Sequence, residues 1–171
     1  MNNIFVKNIV RFVILMLVQV LILNNMNLSG YMNPYIYVLF LLLLPAKINR
    51  SLLLIIAFVT GLIVDYFGNT PGLHAAACVF LAFLRPVTIH LMFRNHEFEV
   101  KEEPGPASIR IGGFLKYALL LVFMHQLILF YLEVLSFNHF FNTLYRVVLS
   151  TVLSTIIILI AMLVFSKRRK K

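Results

Sequence analysis

Apolar residues fall into six blocks along this chain, at about 9–23, 34–44, 52–66, 73–93, 114–132 and 144–165, and charges are confined almost wholly to the gaps between them. A helix crossing a bilayer needs about 20 such residues to span about 30 Å of hydrocarbon. The last three blocks meet that length, while 34–44 and 52–66 are short. Short spans dip incompletely, thin the bilayer locally, or sit in a bundle that shields their ends. With 61% of residues hydrophobic and 12% charged, against about a quarter charged in a soluble domain, lipid must cover most of the surface. The expected fold is all-α: a polytopic membrane protein of about six transmembrane helices, with residues 1–171 as one domain.

Positive charge orients the blocks. Lys7 and Arg11 lead into the first, Lys47 and Arg50 fill the turn after the second, and Arg94, Lys101, Arg110 and Lys116 lie in or beside the loop after the fourth. Lys167, Arg168, Arg169, Lys170 and Lys171 form the tail, so 13 of the 15 Lys and Arg fall on one side, which the rule makes cytoplasmic. Arg146 alone falls outside, and Arg85 lies within the fourth block. Both termini are expected in the cytoplasm, with 96–113 as a solvated cytoplasmic loop around Pro104-Gly105-Pro106 and 166–171 as a basic tail. The N-terminal block reads as a retained span, since Asn24, Asn25, Met26 and Asn27 offer no small-residue cleavage pattern. The net charge of +9 reflects this flank, and the KRRKK tail suits anionic headgroups. Nucleic-acid binding would want aromatics interleaved in a solvated basic domain, which is absent.

The polar residues inside the blocks are few. Gln19 in the first and Ser150, Thr151, Ser154 and Thr155 in the last suit interhelical hydrogen bonds, worth roughly 0.6 kcal/mol each. His125 and Gln126 lie mid-way along the fifth block, and Glu133, two helical turns on from His125, can share its face. That pairing reads as interhelical bonding, with a proton relay as the rival. Arg85-Pro86 interrupts the fourth block; Pro removes a backbone donor, and Arg85 is expected to mark the cytoplasmic end of a short span and to snorkel to the headgroups.

The segment 61–74, GLIVDYFGNTPGLH, concentrates the remaining interest. Asp65 is the only Asp of the chain and stands at the edge of an apolar block. An acidic group there invites a functional reading. Three roles stand open: capping the next helical turn or pairing with a cation at the outer interface, a buried contact that holds helices or a partner in register, and proton or ion binding. His74 follows Gly72 and can lie close to Asp65, yet one His and one Asp make no metal site. The lone Cys78 forms no internal disulfide. No HExxH, GxSxG or phosphate-cradling glycine loop appears. Neither catalytic residues nor a cofactor or metal is expected, and an enzyme is not indicated.

This segment, with Gly61 four residues before Asp65 and then Gly68, Pro71, Gly72 and His74 leading into Ala75-Ala76-Ala77, resembles the bacterial rod shape-determining protein MreD family. The polar turn 45–51 adds to the likeness; elsewhere it is one of length, hydropathy and basic tail. The resemblance implies a non-enzymatic inner-membrane scaffold of the cell-wall elongation machinery, similar in fold to the substrate-binding membrane subunits of energy-coupling-factor transporters. It implies binding to MreC, a single-span protein with a large periplasmic domain. Through it the scaffold would meet the actin-like MreB filament, peptidoglycan synthesis by a RodA-type glycosyltransferase and a transpeptidase. This chain departs from the family pattern at Arg85-Pro86, where the resemblance implies a plainer helix. The alternative is a vitamin-binding transporter subunit, whose cavity Tyr31, Tyr35, Tyr37 and Tyr66 would line.

Overall fold

Length and hydropathy decide most of the architecture. In the computed structural model, which describes residues 4–25, 33–134 and 140–166, the apolar blocks become helices α1 (Ile4–Leu21), α3 (Arg50–Gly68), α4 (Leu73–Met92), α5 (Pro106–Val134) and α6 (Phe140–Ser166). All five are long and apolar enough to cross a membrane. The protein is an all-helical, multi-pass membrane protein, with no strand among the described residues. The basic tail 167–171, Tyr31 and most of the first loop lie outside the described residues.

The second block departs from expectation. In place of a sixth long helix, residues 33–36 are non-helical and only Val38–Leu42, α2, is helical, five residues long. Every residue of 36–44 is nonetheless buried. Contacts to α1 fix its course: Pro34 and Ile36 meet Gln19, near the end of α1, while the carbonyl of Leu43 meets Arg11, near its start. The segment therefore runs antiparallel to α1 through the interior. A helix was expected because the block is apolar, but eleven residues in helical form would span only about 16 Å.

Irregular backbone at membrane depth is tolerated only where protein supplies the missing partners. Here they are side chains of the long helices. The N–H of Asn33 donates to Ser150 Oγ at 3.1 Å, that of Tyr35 to Ser154 Oγ at 3.0 Å, and that of Ile36 to Gln19 Oε1 at 2.9 Å. Gln19 Nε2 returns a bond to the Pro34 carbonyl at 3.2 Å. Of the hydroxyl and amide residues expected to bond helix to helix, Gln19, Ser150 and Ser154 thus serve this chain segment, Ser154 Oγ also accepts from Gln126 Nε2 of α5 at 3.2 Å, and Thr151 Oγ1 and Thr155 Oγ1 have no partner.

At its other end, α2 presents the orphan carbonyls of every helix C-terminus. Arg85 answers them. Its guanidinium donates to the carbonyls of Leu42 and Pro45 at 3.4 Å and to that of Leu44, while its Nε donates to the Tyr117 hydroxyl at 3.0 Å. Tyr117 passes its own proton to the Leu42 carbonyl at 3.1 Å. The cation sits at the negative end of the short helix, where the peptide dipoles favour it. Arg85 is 0% exposed, and α4 continues through Pro86 to Met92. The expected snorkelling end of a short span is therefore corrected: the carbonyls of α2 hold the guanidinium in the interior.

Around this segment α3 packs on α4, α4 on α5 and α5 on α6, with α1 against α2 and α3. One end of the bundle gathers the basic residues. Lys7 and Arg11 both reach Glu103 at 2.9 Å, Ala46 N–H donates to the Glu102 carbonyl at 2.8 Å, and Gly105 lies beside Leu43 and Met162. The start of α1 and the late turns of α6 therefore share that end. The loop expected at 96–113 is shorter, because a helical turn forms from Pro106 and α5 resumes after a break at Ile109 and Arg110 (φ 59°, ψ 161°). Within it, bonds from Ser108 Oγ, the Glu99 N–H and His96 hold the Glu102 carboxyl below the usual carboxylate range, against a smaller opposing effect of burial.

Arg85→Met keeps the aliphatic stem and removes the donors. Leaving buried carbonyls unpaired costs about 1–3 kcal/mol each, so a loss of roughly 3 kcal/mol or more is expected in thermal unfolding of the detergent-solubilised protein. Arg85→Lys, a point charge without the planar fork, should fall between. A wild-type melting midpoint for Arg85→Met would show that the guanidinium does not hold α2.

Candidate functional site

The 61–74 segment closes α3 onto α4. Asn69 ends α3 in the left-handed conformation at φ 52°, its N–H bonded to the Asp65 carbonyl, and Gly72 begins α4 at φ 81°, a backbone position that suits glycine. The side chain of Asp65 then reaches over the turn. Oδ1 accepts from the His74 N–H at 2.9 Å and from Thr70 Oγ1 at 2.9 Å, and Oδ2 accepts from the Ala75 N–H at 3.0 Å. His74 and Ala75 are the second and third residues of α4, whose N–H groups have no partner within the helix. Asp65 does from a neighbouring helix what an N-cap residue does locally, worth about 0.5–2 kcal/mol, and its charge suits the positive end of the helix dipole.

Gly61 makes that reach possible. It lies one turn before Asp65 on the same face of α3, and a Cβ added there would stand 2.4 Å from Ala75 Cα and 2.6 Å from the His74 carbonyl oxygen. Only hydrogen fits. The four-residue spacing thus has a mechanical meaning: Gly61 lets α4 come close, and Asp65 ties down its first turn. Of the three roles open for Asp65, the geometry is that of capping, with the carboxylate already holding three donors.

His74 joins this hairpin to the core. Its backbone N–H binds Asp65 while its ring Nδ1 lies 3.0 Å from the Tyr37 hydroxyl, which also lies 2.8 Å from His125 Nε2. Cys78 Sγ is 3.8 Å from that hydroxyl. The ring of Tyr35 packs edge-on against both histidines, at 5.0 and 6.1 Å between centroids. Tyr37 and His125 are fully buried, and His74 nearly so. A phenol has one proton, so Tyr37 donates to one imidazole and accepts from the other. His125 Nδ1 has no partner. A buried N–H is the rarer orphan, which assigns the proton of His125 to Nε2, as donor to Tyr37, and the Tyr37 proton to His74 Nδ1.

The structure sorts the expected residues. Gly61, Asp65 and His74 come together in the interior, while Gly68, Pro71 and Gly72 form the exposed turn. Lys167, Arg168, Arg169, Lys170 and Lys171 lie outside the described residues. His125 and Glu133 do not form a pair: His125 turns to Tyr37, and Glu133 meets Arg146 at 3.5 Å, whose guanidinium also covers the Phe130 ring at 4.7 Å. Tyr37, named from the sequence only as one of four tyrosines that would line a vitamin cavity, was not expected to bridge two histidines. Among the described residues, no group of three or more His, Cys, Asp and Glu is placed to hold a metal ion. Comparison with protein-family models, with curated proteins and with solved structures gave no match.

Substitutions separate the two parts of the motif. Asp65→Asn keeps the shape but surrenders the charge and one acceptor oxygen, so a loss of about 1–2 kcal/mol in thermal unfolding is expected. Gly61→Ala pushes a methyl group into the backbone of α4 and should cost more, about 3 kcal/mol, the upper part of the overpacking range. A Gly61→Ala protein as stable as wild type would rule out the close approach.

Proposed function

We propose that this protein is a membrane scaffold of the MreD type, which binds an MreC-like single-span protein and helps maintain rod shape within the cell-wall elongation machinery of a bacterial inner membrane. Contacts with MreB and with the RodA-type glycosyltransferase and its transpeptidase would be indirect. The basic end would face the cytoplasm under the positive-inside rule, which puts both termini there and the Asp65 turn on the periplasmic side.

The observation that carries this reading is the locked α3–α4 hairpin and the surface it leaves free. Asp65 and Gly61 use one face of α3 to hold α4, and the opposite face carries Ile55, Val59, Leu62 and Tyr66, all exposed, with Phe67 beside them. The spacing of 55, 59, 62 and 66 is that of one helical stripe, the pattern another helix packs against. Tyr66 is 83% exposed at the periplasmic end of the stripe, the depth at which a partner's linker to an outer domain would emerge. Asp65 and Gly61 thus act on the partner by positioning this stripe, without touching it.

The transport reading gains less support. Tyr37 and Tyr35 pack against the histidines, and the Tyr37 hydroxyl is already bonded to two imidazoles. Tyr66 is 83% exposed and its ring meets Phe67. Of the tyrosines that would line a vitamin cavity, Tyr35 and Tyr37 stand 6.0 Å apart between centroids with their space taken by the two histidines, Tyr66 is exposed, and Tyr31 lies outside the described residues.

Co-purification with an MreC-like partner tests the proposal. Tyr66→Ala and Phe67→Ala together should cut recovery of the partner several-fold while leaving the melting temperature unchanged, and Asp65→Ala should lower both. Undiminished complex in all of these variants would sink it; recovery of an ATPase module and a small molecule instead would favour transport.

A further inference from the structure

Several polar atoms left over inside the bundle gather at one level. His125 and Gln126, both 0% exposed, stand mid-way along α5, and His125 Nδ1 and Gln126 Oε1 have no hydrogen-bond partner in the protein. On α6 the hydroxyls of Thr151 and Thr155, both buried, are also unpartnered. Thr60 and Thr88 give their hydroxyl protons to the carbonyl one turn back; Thr151 and Thr155 make no such bond.

Contacts between the helices bring these residues to the same depth. α5 and α6 run antiparallel, with Gln126 Nε2 on Ser154 Oγ at 3.2 Å and Glu133 on Arg146 at 3.5 Å. His125 and Gln126 are therefore level with Ser154 and Thr155, and Thr151 lies one turn away, so the four residues fall within about 6 Å along the helix axes. The non-helical stretch 33–36 passes at that level too, since the Tyr35 N–H donates to Ser154 Oγ at 3.0 Å and the Tyr35 ring packs on His125. With Gln126 and Tyr35 both donating to it, Ser154 Oγ has its two lone pairs taken and its own proton still to give. Turning the Gln126 carboxamide over would accept that proton and leave the amide N–H groups unpaired, so one end of the amide stays over in either orientation.

We infer that the junction of α5, α6 and the stretch 33–36 is a binding site for a small group of ordered waters. Leaving a polar group unpaired at membrane depth costs more than immobilising the water that would pair it. A buried water makes about three hydrogen bonds, and the atoms here supply both kinds of partner. His125 Nδ1 and Gln126 Oε1 accept, the Ser154 hydroxyl donates, and the two threonines do either. The end of the bundle at Glu133 and Arg146, whose side chains are 44% and 20% exposed, lies about two turns away and gives water a way in. Arg146 Nε, itself unpartnered, stands at that end. The waters are fixed partners and not free solvent: they extend the His74–Tyr37–His125 chain to α6, a connection that the side chains alone leave open at His125 Nδ1.

The experiment is water-edited solid-state NMR of the isotope-labelled full chain in lipid bilayers. Magnetisation that starts on water should reach the side chains of His125, Gln126, Thr151 and Thr155 at mixing times that leave Leu81 and Leu121, equally buried, without signal. Thr151→Val with Thr155→Val keeps the shape and removes both hydroxyls. It should lose most of the water signal at His125 and Gln126 and lower the melting midpoint by about 2–4 °C for each hydroxyl. Replacing bare, unpartnered hydroxyls by methyl groups would instead leave the midpoint unchanged or raise it. The wild-type spectrum carries the test alone if the double variant does not fold. No transfer to any of the four side chains in wild type would overturn the proposal. So would a folded double variant with an undiminished His125 signal and an unlowered midpoint.

Discussion

The fold depends on how non-helical backbone is satisfied inside an apolar bundle. Lipid tails are as apolar as leucine, so burying the leucines of 36–44 gains little over leaving them in the bilayer. What fixes the segment in the interior is its peptide groups, which have nowhere else to bond. Their partners come from Gln19 on α1, Arg85 on α4, Tyr117 on α5, and Ser150 and Ser154 on α6. Four long helices are thus joined through one short one. A buried guanidinium with no carboxylate among its hydrogen-bond partners is costly elsewhere; here the carbonyl dipoles at the end of α2 offset that cost, and α2 could not end there without it.

The remaining long helix, α3, lacks such a bond to the central segment and is held through α4. Gly61 and Asp65 do this with a hydrogen atom in place of a side chain and a carboxylate in place of a local cap. His74 then carries the connection inward, since its backbone binds Asp65 and its ring binds Tyr37. The hairpin and the core are therefore one structure. The first turn of α4 therefore links Asp65 to the Tyr37–His125 contact.

Much of this was legible in the sequence, and the failures share a cause. Hydropathy located the five long helices because a membrane imposes one length on all of them. The same signal overstated residues 34–44, because an apolar block reads alike whether lipid or protein surrounds it. Arg85 was misread for the reverse reason. A charge beside a proline resembles a helix end when the only known alternative is water, and its partners, carbonyls some 40 residues away, leave no local trace. The 61–74 motif was found from its glycines and lone acid. Its mechanics required the distance from Gly61 to Ala75, which no spacing along the chain displays. Tyr37 carried no signal apart from neighbouring tyrosines.

The bonding of Asp65, Tyr37 and Arg85 bears on where this protein meets other molecules. The buried acid holds three donors, the buried tyrosine bridges two imidazoles, and the buried arginine is surrounded by carbonyls. Each would have to break existing bonds before accepting a ligand, in a medium where a broken bond finds no water to replace it. Recognition that leaves the fold intact therefore falls to the outer surfaces. The described surface includes two that differ in kind: the stripe of α3 ending at Tyr66, which is apolar, and the cluster of Lys7, Arg11 and Glu103, which is ionic. They lie at opposite ends of the bundle, joined by α2 and the hydrogen bonds around it. The connection between the two ends is made from the one segment that fails to form a full helix.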